Sequence, residues 1–313
     1  MTVDVAQGVS FLSQTAVGIQ GNSLLITLYL TSFLLGSKLK PTDLTIIHLA
    51  LIHTMMLLTR WIIMASGMLV LQLVQNDAEC KLFTYAYRLT WALSICTTSL
   101  LSAVQAITIS PSTSFLFQLK VQIPFVIHSI LAILWNPNSL INTYLLFQMF
   151  AFPNITNTDT NCYLVRISTL LQGPILTFMA LRDILILGLM SCCSGYMVLL
   201  LHQHRHQIQH LHSPSQAPET SPERRATQTI VLLVSCFVVF YCGDLVFSLF
   251  LGTSMKNNGA LSNAAMFVAS GYATVSPFVL LTCDRSVIKF LADFLGTRSL
   301  KSSQTTVLSA SPL

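Results

Sequence analysis

Charge is what this sequence has least of. Asp, Glu, Lys and Arg together make up 9% of the 313 residues, against about 25% in soluble domains. With 53% hydrophobic residues beside them, the chain has too little polar surface to cover itself in water, which excludes an ordinary soluble domain. Enzyme signatures are also missing. There is no phosphate-cradling nucleotide loop, no HExxH helix and no pair of carboxylates within one apolar run, so we expect no enzyme and no cofactor. No basic segment or small-residue cleavage site precedes the first apolar run, which is therefore expected to be a retained span rather than a cleaved signal peptide. No internal repeat is visible, which argues against the two-halved plan of inverted-repeat transporters.

The spacing of the few charges is the main positive signal. Uncharged runs extend over Val5–Ser37, Leu89–Leu119, Val121–Thr158 and Asn257–Cys283. Three more are each interrupted near the middle: between Asp43 and Asp77 by Arg60, between Arg166 and Arg205 by Arg182 and Asp183, and between Arg225 and Lys256 by Asp244. A helix needs about 20 apolar residues to cross a bilayer of roughly 30 Å. The pattern predicts an all-α membrane protein, a seven-helix transmembrane bundle, with spans at about 9–35, 42–73, 80–110, 121–142, 170–201, 226–254 and 261–283. Residues 1–295 read as one seven-span domain and 296–313 as a disordered Ser/Thr-rich tail. Before that tail, Ser286 to Leu295 places Val287, Ile288, Leu291, Phe294 and Leu295 on one face, the pattern of a short helix lying on a membrane surface.

The net charge of +5 has a source other than nucleic acid, for which no partner role is expected. With the N-terminus outside, the inner loops and tail carry Lys38, Lys40, Lys120, Arg205, Arg224, Arg225, Arg285, Lys289, Arg298 and Lys301. The outer side keeps Lys81, Arg88, Arg166 and Lys256 beside Asp4, Asp77, Glu79 and Asp159. Lys and Arg next to spans are retained on the cytoplasmic side, so the C-terminus is expected in the cytosol and the protein in the plasma membrane as a multi-pass chain. On that orientation only Cys80 and Cys162, of eight cysteines, fall at outer span ends or outer loops. A single bridge and two unpaired thiols are the alternatives, and the oxidising compartment favours the bridge. Asn154-Ile155-Thr156, the one Asn-glycosylation triplet in the chain, lies in the second outer loop.

Within the spans, Gly21 permits close helix packing and Asn22 needs a hydrogen-bond partner in lipid; Pro137 is expected to kink or end span four. Charged groups in lipid are costly and turn toward the bundle interior, so Arg60 and Asp244 are candidates for the border of an outer ligand pocket, against a structural pair or a snorkelling side chain. Arg182 and Asp183 read as structural; adjacent helix positions point about 100° apart, so they are not expected to be each other's best partners. Aromatics cluster in span three (Phe83, Tyr85, Tyr87, Trp91) and span six (Phe237, Phe240, Tyr241, Phe247). Tyr87, Trp91 and Phe240 could line an apolar site; packing and interfacial anchoring are the plainer roles. On a helix continuing from span five, His202, His206 and His210 of the cluster His202, His204, His206, His210 and His212 share a face that could hold a metal; without Cys or carboxylate neighbours, a hydrated helix extension is the preferred reading and no metal is expected. Beyond it, Ser213 to Pro218 reads as a mobile loop.

Several stretches resemble one family. Cys96-Thr97-Thr98-Ser99-Leu100-Leu101-Ser102-Ala103-Val104-Gln105-Ala106-Ile107-Thr108-Ile109-Ser110-Pro111 resembles the third-helix signature of type 1 vomeronasal receptors. Lys40-Pro41-Thr42-Asp43-Leu44 with His48-Leu49-Ala50 is similar to their second helix, and Leu181-Arg182-Asp183-Ile184-Leu185 with Gly188-Leu189-Met190 to their fifth. His210-Leu211-His212-Ser213-Pro214 with Ser221-Pro222-Glu223-Arg224-Arg225-Ala226-Thr227 resembles their third inner loop, and Thr274-Val275-Ser276-Pro277-Phe278-Val279 their seventh helix. The resemblance implies a rhodopsin-like G-protein-coupled pheromone receptor. By the same resemblance, Cys80 and Cys162 would tie span three to the second outer loop and Asn154 would be glycosylated. A volatile or small organic pheromone-like molecule would bind between the outer helix halves; the candidates that the charges and aromatics single out for that site are Arg60, Tyr87, Trp91, Phe240 and Asp244. A heterotrimeric G protein of the inhibitory class would meet the inner ends, where Lys120, Arg205, Arg224 and Arg225 lie. As in that family, Gln105-Ala106-Ile107 stands where most rhodopsin-like receptors carry Asp-Arg-Tyr. Two stretches depart from the family pattern, Trp61-Ile62-Ile63-Met64 and Tyr87-Arg88-Leu89-Thr90-Trp91. The alternatives are a bitter-taste-type receptor, a seven-span channel or transporter, and a receptor that does not signal.

Overall fold

A computed structural model describes residues 2–36, 38–68, 77–111, 114–143, 146, 149–153, 160–164, 169–211, 222–253 and 259–283. Seven long helices form a bundle: α1 (Thr2–Leu34), α2 (Pro41–Met68), α3 (Asp77–Ile109), α4 (Leu116–Asn142), α5 (Thr169–Leu211), α6 (Pro222–Thr253) and α7 (Gly259–Cys283). Six are long and apolar enough to cross a membrane, and Phe267–Leu281 of α7 adds a shorter apolar stretch. Between α4 and α5 lies a feature that the span pattern did not predict, an antiparallel hairpin of β1 (Met149–Pro153) and β2 (Thr160–Leu164) with Ala151 opposite Cys162. β1 packs against α3.

Local chemistry sets the helix ends. Gly36 takes φ +91°, a left-handed conformation that glycine adopts without a Cβ clash, and so turns the chain out of α1. Pro41 opens α2, where its missing N–H costs nothing, and the Asp43 carboxylate accepts from the Lys40 N–H at 2.9 Å. α4 runs on through Pro137 to Asn142, so this proline does not end the helix. α5 extends past the expected span to Leu211 and α6 begins at Pro222, so both continue into the polar segment between them.

α3 is the axis of the bundle, in contact with α2, α4, α5, α6 and β1. In its membrane-length segment 72% of residues are buried, against 11% for α5, whose exposed Ile184, Leu185 and Leu199 need an apolar solvent. Yet α3 buries Ser94, Thr97, Thr98, Ser99, Ser102 and Gln105. Small polar residues let helices approach closely and bond across their interfaces. On α2, the fully buried His53 bonds Ser94 Oγ through Nε2 at 2.7 Å and Ser276 Oγ of α7 through Nδ1 at 2.9 Å. Tyr272 stacks edge-on against His53 and lies 3.0 Å from Thr98 Oγ1. The Thr98 hydroxyl proton goes to the Ser94 carbonyl, so Tyr272 is the donor. Elsewhere between α2 and α4, the Trp135 indole N–H, which can only donate, reaches His48 Nε2 at 3.1 Å. That leaves the neutral His48 ring its proton on Nδ1, to donate to Thr97 Oγ1 at 3.2 Å.

α1 seats against α7, where Gly21 finds the close packing and Asn22 the hydrogen-bond partner expected of them. Asn22 Nδ2 donates to the carbonyls of Gly18 and Ala273, and a Cβ on Gly21 would stand 3.0 Å from the Pro277 ring.

Candidate functional site

The sequence singles out Arg60, Tyr87, Trp91, Phe240 and Asp244, and the fold draws them together at the end of the bundle where α3 begins. Arg60 lies late in α2 and Tyr87 early in α3, and because these helices run antiparallel the Arg60 guanidinium carbon rests 4.7 Å from the centre of the Tyr87 ring. Such a cation–π contact contributes about 0.5–2 kcal/mol. Tyr87 and Trp91 are one turn apart on α3, and both pack on the cluster of Met56, Leu57 and Ala273. Trp91 also packs on the main core, as does Phe240 of α6. Asp244 is one turn beyond Phe240 and lies within electrostatic reach of Arg60 and Arg88. The five residues thus make a ring of positions on α2, α3 and α6, linked by the Arg60–Tyr87 contact and the Arg60–Asp244 attraction.

Two details of the ring stand out. The Phe240 ring lies against Gly271 of α7, so that a methyl group there would overlap it; Gly271 fixes where Phe240 stands. Arg60 Nε is buried with no hydrogen-bond acceptor among the described residues. An orphaned donor costs about 1–3 kcal/mol, which offsets the cation–π gain.

Phe237, Tyr241 and Tyr85 pack rather than line. Phe237 is buried, T-shaped to Tyr272 at 4.9 Å and stacked on Tyr241 at 5.8 Å. Tyr85 donates to the Ser139 carbonyl of α4.

Arg182 and Asp183 are a correction. They form an ion pair, Nη2 to Oδ1 at 2.8 Å, with Arg182 Nε also donating to Oδ1 at 3.0 Å. The long arginine chain bends across the 100° that separates the two Cβ directions, because neither charge has a better partner facing lipid. Arg182 Nη1 also donates to Asn138 Oδ1 of α4 at 2.9 Å, and Asn138 Nδ2 donates to Cys96 Sγ at 3.6 Å. The group ties α3, α4 and α5 together, in agreement with a structural role.

At the opposite end of the bundle, Ser110 Oγ gives its proton to the Ala106 carbonyl and accepts from Tyr196 of α5 at 3.0 Å, so the last turn of α3 is bonded to α5. Lys120 is exposed on α4 nearby. Arg205 lies on α5, and Arg224 and Arg225 on α6; their side chains, like those of His204, His206 and His210, lie outside the described residues. Asn154, His212, the Ser286–Leu295 helix and the tail also lie outside them. Cys80 is buried and disulfide-bonded, and Cys96, Cys192, Cys193, Cys236 and Cys242 are free thiols.

Sequence reasoning missed His53, Ser94, Thr98, Tyr272 and Ser276. The available signal was a run of Ser and Thr in an otherwise apolar span, Ser94 to Ser102, opposite a histidine in span two.

The family described as the vomeronasal organ pheromone receptor family matches residues 5–293 of this chain. Among similar proteins, vomeronasal type-1 receptor 42 of Mus musculus is 36% identical over 296 residues, covering 93% of this chain and 89% of that receptor. Vomeronasal type-1 receptor 45 of Mus musculus is 37% identical over 287 residues, 90% of each chain. Vomeronasal type-1 receptor 100 of Rattus norvegicus is 37% identical over 287 residues, 90% of this chain and 87% of that receptor. A family match over nearly the whole length, on a bundle of membrane-spanning helices, makes this chain a multi-pass plasma-membrane protein that belongs to the vomeronasal type 1 family of chemosensory receptors.

Proposed function

We propose that the chain detects a small, largely apolar, pheromone-like molecule in the ring formed by Arg60, Tyr87, Trp91, Phe240 and Asp244, and signals to a heterotrimeric G protein of the inhibitory class. The observation that supports this reading is the grouping of charged and aromatic residues on α2, α3 and α6, with Arg60 against the Tyr87 ring and within electrostatic reach of Asp244. A ligand held by three helices couples its binding to their relative positions and shifts an existing equilibrium toward the arrangement it prefers. To move the population from 1:99 to 99:1 its preference must be worth about 5.5 kcal/mol. The ring faces outward, the N-terminus is outside, and Lys120, Arg205, Arg224 and Arg225 meet the G protein from the cytosolic end. A disulfide from Cys80 to Cys162 anchors the hairpin to α3; the packing of β1 on α3 and the place of Cys162 opposite Ala151 of β1 support that pairing. Asn154 carries a glycan, residues 1–295 form the receptor domain and 296–313 the cytosolic tail.

The test is inhibitory-class G-protein activation in membranes containing the full chain, challenged with volatile and steroid-like compounds. Surface delivery is confirmed beforehand by glycosidase sensitivity. A ligand-dependent signal whose half-maximal concentration rises about tenfold or more in Arg60→Ala is expected, since central contacts are worth about 2 kcal/mol or more in such a position. A signal indifferent to Arg60→Ala moves the site elsewhere, and silence of a well-delivered receptor removes the signalling role.

A further inference from the structure

Where α2 and α4 begin, two lysines border one apolar cluster. Ile123, Ile127 and Leu131 form the buried stripe by which α4 lies on the bundle, and Leu44 of α2 packs against it. The residue that precedes Ile123 by three on the same stripe is Lys120. At 100° per residue it points within about 20° of Ile127 and Leu131. Yet Lys120 is exposed, since the cluster stops one turn short of it. Lys40 stands in the same relation to Leu44. It is exposed, and lies one turn earlier, with the Leu44 N–H donating to its carbonyl at 3.2 Å. The two lysines thus flank one cluster at the same end of the bundle. Helical side chains tilt toward the helix N-terminus, which carries the Lys120 ammonium outward toward that end. Neither lysine has an ion-pair partner among the described residues. Asp43, the acid nearest in sequence, turns back on the start of α2, where it accepts from the Lys40 N–H. The first turn of α4 holds no acidic residue, so its helix dipole adds to the positive charge.

The rest of α4 decides what such a pair of ammoniums meets. Phe117 and Val121, on either side of Lys120 in sequence, are exposed, and so is Phe125 one turn further on. In a helix long and apolar enough to cross the bilayer, these side chains lie against acyl chains. Lys120 therefore stands where hydrocarbon gives way to headgroups. A protein partner would have to cover Phe117, Val121 and Phe125 within the bilayer as well as the lysines beside them. A lipid meets both surfaces at once, with chains on Phe117 and Val121 and a negative headgroup on the ammoniums. Lysine binds phosphate as a compact point charge, which needs no fixed fork geometry. We propose that Lys40 and Lys120 together hold the headgroup of one anionic phospholipid at the end of the bundle where α2 and α4 begin. This site shares nothing with the Arg60 ring, and a G protein that meets Lys120 would meet it with the lipid in place.

The experiment is native mass spectrometry of the full-length receptor in neutral detergent, with phosphatidylserine and phosphatidylcholine of identical acyl chains added in equal amounts. One phosphatidylserine is expected to stay bound in preference to phosphatidylcholine. A lysine near the headgroups raises affinity for anionic lipid about fivefold. Lys40→Gln and Lys120→Gln should therefore each lower phosphatidylserine retention about fivefold, and the double variant about twenty-five-fold. Lys38→Gln, on the turn before α2 and away from the cluster, should lower it far less. Thermal unfolding midpoints without added lipid show that the variants fold. Glycerophosphoserine, the same headgroup without chains, should not compete at the same concentration. Equal retention of phosphatidylcholine overturns the inference. So does a loss in Lys38→Gln as large as in Lys40→Gln or Lys120→Gln, which would mean a diffuse positive field rather than a site. Competition by glycerophosphoserine makes the pair a site for free anions and overturns the lipid. Variants that keep phosphatidylserine but weaken capture of the G protein give the lysines to the protein partner, and the inference falls with them.

Discussion

At the residue scale, the bundle centre depends on side chains that satisfy one another in pairs. His53 joins α2 to Ser94 of α3 and Ser276 of α7, and it has no water to fall back on. Interhelical hydrogen bonds in membranes average about 0.6 kcal/mol, because each partner can find a substitute. Serine has one at hand, the carbonyl four residues earlier in its own helix. Replacing His53 by phenylalanine, of similar bulk, should therefore cost about 1–2 kcal/mol rather than the full penalty of two orphaned hydroxyls, and lower the thermal unfolding midpoint of the detergent-solubilised receptor. Adding Ser94→Ala and Ser276→Ala to His53→Phe should recover part of the loss, since removing both partners is milder than removing one. A triple variant that melts below the single one would show that the serines stabilise through something other than this histidine. Arg182 teaches a related lesson. Cβ directions alone set it apart from Asp183, but a side chain of that length reaches any neighbour when the alternative is lipid.

At the element scale, helix approach is decided by what a Cβ would strike. A side chain on Gly18 would lie 2.7 Å from Leu57 Cδ1 and 3.1 Å from Thr274 Cα, and the latter is backbone that cannot swing aside. Gly18→Val should force α1 off α7 and cost about 1–3 kcal/mol, as overpacking does. Gly188→Ala and Gly195→Ala on α5 meet nothing within 4 Å and should not lower the melting midpoint at all. The same assay reads all three, and equal effects would mean that the α1–α7 seat is looser than the Gly18 distances imply. Gly271→Ala is the functional counterpart: it displaces Phe240, and ligand potency should fall by about tenfold, a cost at the low end for overpacking, even where surface delivery is preserved. The span pattern made every one of the helices legible, because uncharged runs of bilayer length leave few alternatives. The Gly18 contact was not legible, since period alone does not say which helix faces which. Nor was the β1–β2 hairpin: its strands are five residues each, too short for alternation to stand out from an apolar loop. Arg60 and Asp244 stood out in the sequence because charge in an apolar run is rare enough to mark a position by itself; the contact of Gly271 with the Phe240 ring did not stand out.

At the scale of the whole molecule, orientation decides how every other feature is used. The basic residues near helix ends sort unequally: Lys38 and Lys40 between α1 and α2, and Lys120 at the start of α4, share the end where Ser110 and Tyr196 meet. Juxtamembrane Lys and Arg resist translocation, and on that ground the proposed orientation puts this end in the cytosol. Cys80 opens α3 at the other end and is disulfide-bonded, a state that persists in an oxidising compartment. The two arguments are independent, one electrostatic and one redox, and they agree. In the proposed orientation Asn154-Ile155-Thr156 falls on the side where oligosaccharide transfer takes place. Full-length receptor from mammalian cells should therefore migrate faster on a gel after glycosidase treatment. Asn154→Gln should migrate at the faster position without treatment, and peptide mapping without reductant should recover Cys80 joined to Cys162. Unchanged mobility of the wild type would count against the glycan alone. A Cys80–Cys162 peptide from a receptor that also labels with a membrane-impermeant lysine reagent at Lys120 in intact cells would overturn the orientation itself, and with it the assignment of the Arg60 ring to the side from which ligands arrive.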